Sequence, residues 1–265
     1  MIDINVQARI SDGRRCFELA VALQAQESVV ALYGPSGAGK SLTLQAIAGL
    51  LKPQCGHVRV GGRTLYDAAA GIDLPIRQRG VGYLFQHYAL FPHLTVRDNV
   101  AFGLTRWWRP GMPPRQLQRV NSLLEGFGLT ALANSRPKSL SGGQQQRAAL
   151  ARALACQPSV LLLDEPFSAL NPMLRHSLRL ELLQMQAEWK IPIMMITHDV
   201  EDVLALADIA YVIEQGRVAR SVVVRKGGSQ DAVRQALLPD EVPRDRILSP
   251  AQQAVCALLQ VNSHG

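Results

Sequence analysis

The chain has 265 residues, of which 48% are hydrophobic and 18% charged, a composition typical of folded globular proteins and unlike that of a disordered chain. This length suffices for one large α/β domain with an inserted or appended lobe, and it excludes a cross-linked mini-protein. The net charge of +7 suits nucleic acid, an anionic membrane surface or nucleotide phosphates as partners, and equally suits arginines that only solvate exposed helix faces.

Hydrophobic runs and cysteine spacing indicate where the protein works. The longest apolar runs, such as 160–163 and 193–196, are far shorter than the roughly 20 residues of a membrane-spanning helix. The N-terminal residues lack the basic and apolar segments of a secretory signal. The four cysteines form no C-x-x-C pair, which argues against a zinc site, a redox motif or a disulfide framework. We therefore expect a cytoplasmic protein.

The first third of the chain predicts short strands around a glycine-rich loop. Apolar residues alternate at period two in segment 17–23, and 28–33 is a continuous apolar run. After the loop, residues 42–51 are apolar at nearly every position. We predict that they form a buried helix that ends before Pro53.

The remainder predicts a helical lobe followed by alternating elements. After short strands at 57–60 and 81–85, a helical section covers about 95–155 and is broken near Pro110 and Pro137. The later elements are strands at 159–164, 192–197 and 209–214 and helices at 172–190 and 200–207. Such alternation indicates a mainly parallel sheet covered on both faces. Beyond about 224 the pattern weakens, which indicates a short peripheral tail.

The glycine-rich loop matches the phosphate-binding pattern G-x-x-x-x-G-K-[ST] in full, between a predicted strand and a predicted helix. Its glycines let backbone N–H groups turn inward as an anion-binding nest, and the helix points its positive end at the same place. Lys40 is expected to reach the β and γ phosphates of a nucleotide, with Ser41 on Mg²⁺. The loop residues are Gly34, Pro35, Ser36, Gly37, Ala38, Gly39, Lys40 and Ser41.

A carboxylate pair ends the apolar strand predicted at 159–164. Asp164 is expected to organise Mg²⁺, and Glu165, on the turn that leaves the strand, to polarise the attacking water. Taken alone, an apolar strand that ends in Asp-Glu has a purely structural role about as often as a catalytic one. Its combination with the phosphate loop in one chain favours a nucleotide-hydrolysing site.

Residues 140–147 indicate which class of phosphate-loop protein this is. Their sequence is Leu-Ser-Gly-Gly-Gln-Gln-Gln-Arg. They resemble the signature of ABC ATPases and stand just ahead of the metal-binding strand, as in that family. Ser141, Gly142 and Gly143 begin a predicted helix whose positive end suits a γ-phosphate, and Gln144 completes this second phosphate-reading group. Taken alone, Ser-Gly-Gly is also a common helix cap without a ligand.

Other positions match the same family, and the resemblance covers residues 1 to about 225. Gln86 is similar to the family glutamine that touches the metal and the attacking water, and His198 to the switch histidine that contacts the γ-phosphate. Phe17 lies where the family stacks an aromatic residue on adenine, although a core phenylalanine in a period-two strand explains it equally well. Asn171 departs from the usual aspartate in the loop that crosses the dimer interface, and we expect activity to be retained because asparagine keeps a hydrogen-bonding side chain of similar size.

The resemblance implies an α/β fold, a P-loop NTPase domain of the ABC type with a mainly parallel core sheet, an N-terminal antiparallel β subdomain and an inserted helical lobe. We expect the domain to span 1–225, with the lobe at about 87–155 and a short tail at 226–265. The implied cofactors are ATP and Mg²⁺. The implied catalytic residues are Glu165, His198 and Gln86, and the implied metal-binding residues are Ser41, Gln86 and Asp164.

The family's mode of action predicts a homodimer with two nucleotides between its copies, so that the phosphate loop of one copy faces residues 141–144 of the other. Segment 86–96 resembles the glutamine loop of bacterial importers, which receives a helix of a transmembrane permease; a buried loop beside the lobe is the alternative. The expected partners are permease subunits and, through them, a periplasmic or extracellular substrate-binding protein, without nucleic acid. The expected location is peripheral, on the cytoplasmic face of the inner membrane.

Segment 67–83 looks most like ATPases of molybdate importers. We therefore predict an ATPase that powers the import of molybdate or a related oxyanion. The alternative is a soluble ABC ATPase that acts on nucleic acid or the ribosome. Repair ATPases of this kind usually insert a long coiled coil and translation factors carry two cassettes, whereas this sequence has no heptad run and one cassette. A P-loop kinase would leave residues 140–147 unexplained.

Overall fold

A computed structural model of the chain describes residues 1–11, 13, 16–104, 112–168, 170, 172–225 and 230–237. Its strands are β1 (Ile2–Ser11), β2 (Cys16–Ala25), β3 (Val29–Tyr33), β4 (Cys55–Val60), β5 (Arg63–Asp67), β6 (Ile72–Asp73), β7 (Val81–Leu84), β8 (Val160–Asp164), β9 (Ile193–Thr197), β10 (Ile209–Glu214) and β11 (Arg217–Val223). Its helices are α1 (Lys40–Ala48), α2 (Val96–Ala101), α3 (Pro114–Gly126), α4 (Gly142–Ala155), α5 (Pro172–Trp189), α6 (Val200–Leu206) and α7 (Gln230–Leu237).

These strands join one mixed sheet in the order β6-β5-β4-β1-β2-β11-β10-β3-β9-β8-β7. Strands β1, β2, β4, β5 and β6 pair antiparallel and form the N-terminal β subdomain. Strands β10, β3, β9, β8 and β7 run parallel. Strand β11 turns back against β10 and reaches β2 where Arg217 pairs with Ala20. The predicted α/β fold with a mainly parallel core sheet is confirmed.

The parallel strands are apolar on both faces because both faces are covered. Along β3, Val29 and Ala31 belong to one buried cluster, and Val30 and Leu32 belong to another. The first cluster includes residues of α2 to α6, and the second includes residues of α1 and the antiparallel strands. Side chains alternate across a strand, so two apolar layers require apolar residues at every position.

Helices α2, α3 and α4 contact one another, and α4 also contacts β7. They form the helical lobe that the sequence implied, although the lobe's bounds of 87–155 stay a prediction. The break predicted near Pro110 lies outside the described residues. Among the described residues, no helix combines the length and the apolar character that crossing a membrane requires.

Helix α1 differs from its prediction. The apolar pattern placed it at 42–51, whereas it begins at Lys40 and ends at Ala48. Gly49 takes the left-handed conformation, with φ 83°, and its N–H donates to the carbonyl of Ala46. This glycine ends the helix, so the apolar residues after it belong to the following turn.

The predicted tail contains one described element, α7. Val233 and Leu237 on this helix are buried. Helix α7 contacts α6 and β11, and Arg234 pairs with Glu201 of α6 at 2.6 Å. The first part of the tail therefore packs on the domain, and the boundary proposed at 225 stays a prediction.

Arg79 is a buried charge that ties α1 to the antiparallel subdomain. It is 1% exposed, and its guanidinium donates to the carbonyl oxygens of Ala46 and Ile47 at 2.8 and 2.9 Å, to Leu74 O at 2.8 Å and to Asp73 Oδ1 at 3.0 Å. Burial lowers the pKa of Arg79, and the Asp73 carboxylate opposes that shift.

We expect Arg79→Ala to lower the free energy of unfolding by about 3 kcal/mol, because it leaves buried carbonyl groups without donors and opens a cavity. Urea unfolding measures this loss. The matched variant Arg59→Ala removes an exposed arginine that contacts Asp3 and Asp67, and it should cost less than about 1 kcal/mol. Equal losses for the two variants would contradict the structural role of Arg79.

Candidate functional site

The predicted site residues follow the carboxyl ends of neighbouring parallel strands. Loop 34–39 follows β3, Gln86 lies two residues beyond β7, Glu165 follows β8 and His198 follows β9. Strands β3, β9, β8 and β7 are successive neighbours in the sheet. Because the carboxyl ends of parallel strands meet at the same edge, residues from four distant parts of the chain collect there.

The phosphate loop depends on glycine at defined positions. Gly34, Gly37 and Gly39 have φ values of 147°, 80° and 99°, which L side chains rarely adopt. A Cβ at Gly34 would lie 2.3 Å from the carbonyl oxygen of Ile213. The loop backbone therefore takes the left-handed conformations that a nest for an anion uses.

Lys40 opens α1 and turns its side chain into the loop. It is 5% exposed, and its Nζ donates to the carbonyl oxygens of Gly34 and Pro35, each at 2.8 Å. Burial lowers the pKa of Lys40, while the charges of Glu165 and Asp164 oppose that shift. An ammonium group at this place suits the negative charge of a phosphate chain, as the sequence predicted for Lys40.

Ser41 and Asp164 meet beneath the loop, where the Ser41 hydroxyl donates to Asp164 Oδ1 at 3.1 Å. The Tyr83 hydroxyl donates to Asp164 Oδ2 at 3.4 Å. Burial raises the pKa of Asp164, and these two hydrogen bonds lower it. Hydroxyl and carboxylate oxygens suit Mg²⁺, which proteins bind through one or two carboxylates plus nucleotide phosphates, so the donor set fits this ion. No group of three or more His, Cys, Asp or Glu side chains in the described chain forms a self-sufficient metal cage.

Glu165 is held between two other predicted catalytic residues. Gln86 Nε2 donates to Glu165 Oε2 at 3.2 Å, and His198 Nδ1 lies 3.3 Å from Glu165 Oε1. Glu165 has φ 46°, and its N–H donates to the carbonyl of Ile196 on β9 at 3.1 Å. This backbone places the carboxylate, 15% exposed, at the edge of the sheet. The structure thus brings the three predicted catalytic residues into contact.

Residues 19–168 match the family model described as ABC transporter. This chain belongs to the ABC transporter family. The predicted ABC-type cassette is confirmed, and cassettes of this family bind ATP with Mg²⁺.

Similar proteins include import ATPases and solved cassettes. The chain is 39% identical over 222 residues to the molybdenum import ATP-binding protein ModC of Paramagnetospirillum magneticum. This match covers 83% of this chain and 59% of that protein. It is 47% identical over 190 residues to the sulfate/thiosulfate import ATP-binding protein CysA of Synechocystis. That match covers 72% of this chain and 51% of the relative. The chain therefore spans between 51% and 59% of the length of these two relatives.

A solved relative with a similar fold is the ATP-binding cassette MJ0796, determined as a dimer in a post-hydrolysis state with ADP and Pi. The match has a TM-score of 0.71 and 31% sequence identity, and it covers 86% of this chain and 100% of that one. The cbiO1 protein of Clostridium perfringens, part of an ABC transporter complex, matches with a TM-score of 0.71 and 28% identity, over 85% of this chain and 89% of that one.

The cassette's signature residues form a helix cap. Ser141 Oγ accepts from the N–H of Gln144 at 3.4 Å, and Gln144 Oε1 accepts from the N–H of Ser141 at 2.9 Å, a capping box at the start of α4. A Cβ at Gly143 would lie 2.8 Å from Leu174 of α5, so glycine permits the close approach of the two helices. Ser141 and Gly142 are exposed, so the amino-terminal end of α4 faces outward.

An open cleft of about 1050 Å³ runs beside the phosphate loop. Its described lining includes loop residues 34–38, Phe17, His198 and Leu237, and it does not include Ser141 to Gln144. Phe17 is half-buried, and its ring lies 3.0 Å from the position that a Cβ at Gly39 would occupy. Phe17 therefore forms a wall of the cleft, which suits a base-stacking role, and it also packs on the core, as the alternative interpretation held.

Several contacts escaped the sequence analysis. Tyr83 touches Asp164 from the neighbouring strand, and Leu237 lines the cleft from the predicted tail. Arg175 of α5 pairs with Asp199 beside His198. A signal for the last contact was present, because α5 carries arginines four residues apart, and two aspartates three residues apart stand at the N-cap and in the first turn of α6. Asn171, the departure from the family pattern, lies outside the described residues.

Proposed function

We propose that the chain is the ATP-hydrolysing subunit of an importer and works beneath a separate transmembrane permease. The observation that carries this proposal is the contact of Glu165 with both Gln86 and His198, one residue beyond Asp164. A carboxylate in this position, beside a phosphate loop and a metal-binding pair, suits the activation of a water for attack on a phosphoryl group.

The proposed chemistry divides among a few side chains. Bound Mg²⁺–ATP supplies the electrophilic γ-phosphoryl group with part of its charge neutralised. Lys40 and the loop N–H groups hold the phosphates, and Ser41 with Asp164 holds the metal. Glu165 accepts a hydrogen bond from the attacking water at a carboxylate oxygen, while Gln86 and His198 hold that carboxylate in place.

The position of the signature supports a dimeric mechanism. The amino-terminal end of α4 is exposed at Ser141 and Gly142. A helix amino terminus suits an anion, so a second copy of the chain could place this end at the phosphates. ATP would then favour the closed pair by contacting both copies, and its hydrolysis would favour opening.

Apolar groups in segment 85–102 support docking of a permease. The Phe85 and Phe102 side chains are 38% and 49% exposed, and the rings of Phe91 and Phe102 stack at 4.2 Å. Arg152 of α4 donates to the carbonyl oxygens of Ala89 and Tyr88 at 2.6 and 2.7 Å, which anchors this loop to the signature helix. Exposed apolar groups on an anchored loop suit a protein partner, and the cassette would then lie peripherally on the cytoplasmic face of the membrane.

The proposed cargo is molybdate or a related oxyanion. The similarity to ModC extends over 222 residues, and the similarity to CysA has the higher identity, 47% over 190 residues. Both relatives carry import in their names, which supports an importer of small oxyanions that receives its cargo from a substrate-binding protein through the permease.

Co-expression with the permease genes adjacent to its own tests the proposal. The purified complex is assayed for ATP turnover with binding proteins loaded with molybdate, sulfate or thiosulfate, and a complex that carries Glu165→Gln serves as the control. We expect the molybdate-loaded protein to stimulate turnover. Stimulation by sulfate alone would reassign the cargo, and unstimulated turnover without a co-purifying membrane subunit would contradict the importer.

A further inference from the structure

Arginine–aspartate ion pairs connect helix α5 to helix α6 and its N-cap residue. Arg175 Nη1 donates to Asp199 Oδ2 at 2.7 Å. One helical turn further along, Arg179 Nε donates to Asp202 Oδ1 at 2.7 Å, and its Nη2 lies 3.4 Å from Asp199 Oδ2. Two arginines four residues apart on one helix thus face two carboxylates three residues apart on the other segment.

The two carboxylates have different surroundings. Asp202 is 3% exposed and accepts from the Thr197 hydroxyl at 2.7 Å, so it anchors α6 to strand β9. Asp199 directly follows His198 and is three-quarters buried. Its Oδ1 accepts from the N–H of Glu201 at 2.8 Å, and its own N–H donates to the Thr197 hydroxyl at 3.0 Å. The ion pair between Arg175 and Asp199 therefore contacts the turn that carries His198.

Arg175 has a second contact, on the segment that leaves Glu165. Its Nη2 donates to the carbonyl oxygen of Leu170 at 3.4 Å. Glu165, Arg175 and His198 also line one small polar cavity. One guanidinium therefore touches both the chain that follows the catalytic carboxylate and the turn that carries the histidine. The planar fork of an arginine can bridge two acceptors, whereas a lysine ammonium is a point charge without that geometry.

We propose that Arg175 is a positioning residue that couples the segment after Glu165 to the orientation of His198. If contact with another surface displaced the segment after Glu165, the Arg175 guanidinium would move with Leu170. Through its pair with Asp199, this movement would change the orientation of His198. The inference rests on the proposed function in one respect, that Glu165 and His198 act in ATP hydrolysis.

The variants Arg175→Ala and Arg175→Lys test the coupling. A matched control is Arg234→Ala, which removes an arginine pair to Glu201 on the same helix, two residues beyond Asp199. The first readout is the ring ¹H–¹⁵N resonances of His198, assigned with His198→Gln. The second is steady-state ATP turnover, and thermal melting verifies that each variant is folded.

We expect Arg175→Ala to shift the His198 ring resonances and to lower kcat about tenfold, with KM for ATP changed less than about twofold, because misplacement of a catalytic group acts on the chemical step. Arg175→Lys should restore part of both values, because it keeps the charge and one hydrogen bond. Arg234→Ala should match the unaltered chain in both readouts.

Two results would overturn the proposal. One is a folded Arg175→Ala variant with unchanged His198 resonances. The other is a lower melting temperature with unchanged kcat, which would make Arg175 only structural. If the unaltered chain hydrolyses no ATP, the proposed function fails, and the His198 resonances still decide whether the coupling exists.

Discussion

Glu165→Gln is expected to lower the ATP turnover of the cassette about 10³-fold while ATP binding persists. The carboxylate is held by Gln86 Nε2 at 3.2 Å and by His198 Nδ1 at 3.3 Å, so its position is set before any reaction. Glutamine keeps the size of the side chain but cannot take a proton from the attacking water. Turnover is measured with a coupled phosphate-release assay, and binding with a fluorescent ATP analogue.

The same substitution at Glu181 is the matched control. Glu181 lies on α5 and makes two hydrogen bonds with Arg147, at 2.6 and 2.9 Å. We expect Glu181→Gln to retain turnover within about threefold, because a partly exposed pair contributes little. If Glu165→Gln hydrolysed ATP at the rate of the unaltered chain, Glu165 would not be the group that activates water.

Lys40→Ala is expected to weaken ATP binding about 100-fold. The ammonium group lies within the phosphate loop, where it donates to the carbonyl oxygens of Gly34 and Pro35. Hydrogen bonds to charged groups contribute up to about 3 kcal/mol, and every 1.4 kcal/mol corresponds to about a tenfold change in the dissociation constant. Titration with a fluorescent ATP analogue in the presence of Mg²⁺ measures the effect.

Lys52→Ala provides the comparison, because Lys52 lies shortly after α1 and its side chain is 74% exposed. It pairs with Asp73 at 3.1 Å and lines a separate cavity with residues of β5 and β6. We expect its affinity for ATP to equal that of the unaltered chain. Equal affinity in a folded Lys40→Ala variant would show that the loop is not the phosphate site.

Local features of the site followed from the sequence because they depend on neighbouring residues alone. The phosphate loop needs glycine where φ is positive, and Asp164 had to end an apolar strand to reach the edge of a covered sheet. Strand β10 was predicted with its observed bounds, Ile209–Glu214. The end of α1 was misplaced because one left-handed glycine overrode a continuing apolar pattern.

Contacts between distant segments were decided by the tertiary structure. Glu165 meets Gln86 and His198 because β8 lies between β7 and β9 in the sheet, and the phosphate loop joins them because β3 lies beside β9, although these two strands are far apart along the chain. The pairing of Arg175 with Asp199 likewise needed α5 and α6 to pack together. Residue types and near neighbours were enough to predict the local conformations. The folded sheet alone determined which of them touch, because strand order depends on long-range packing and not on local pattern.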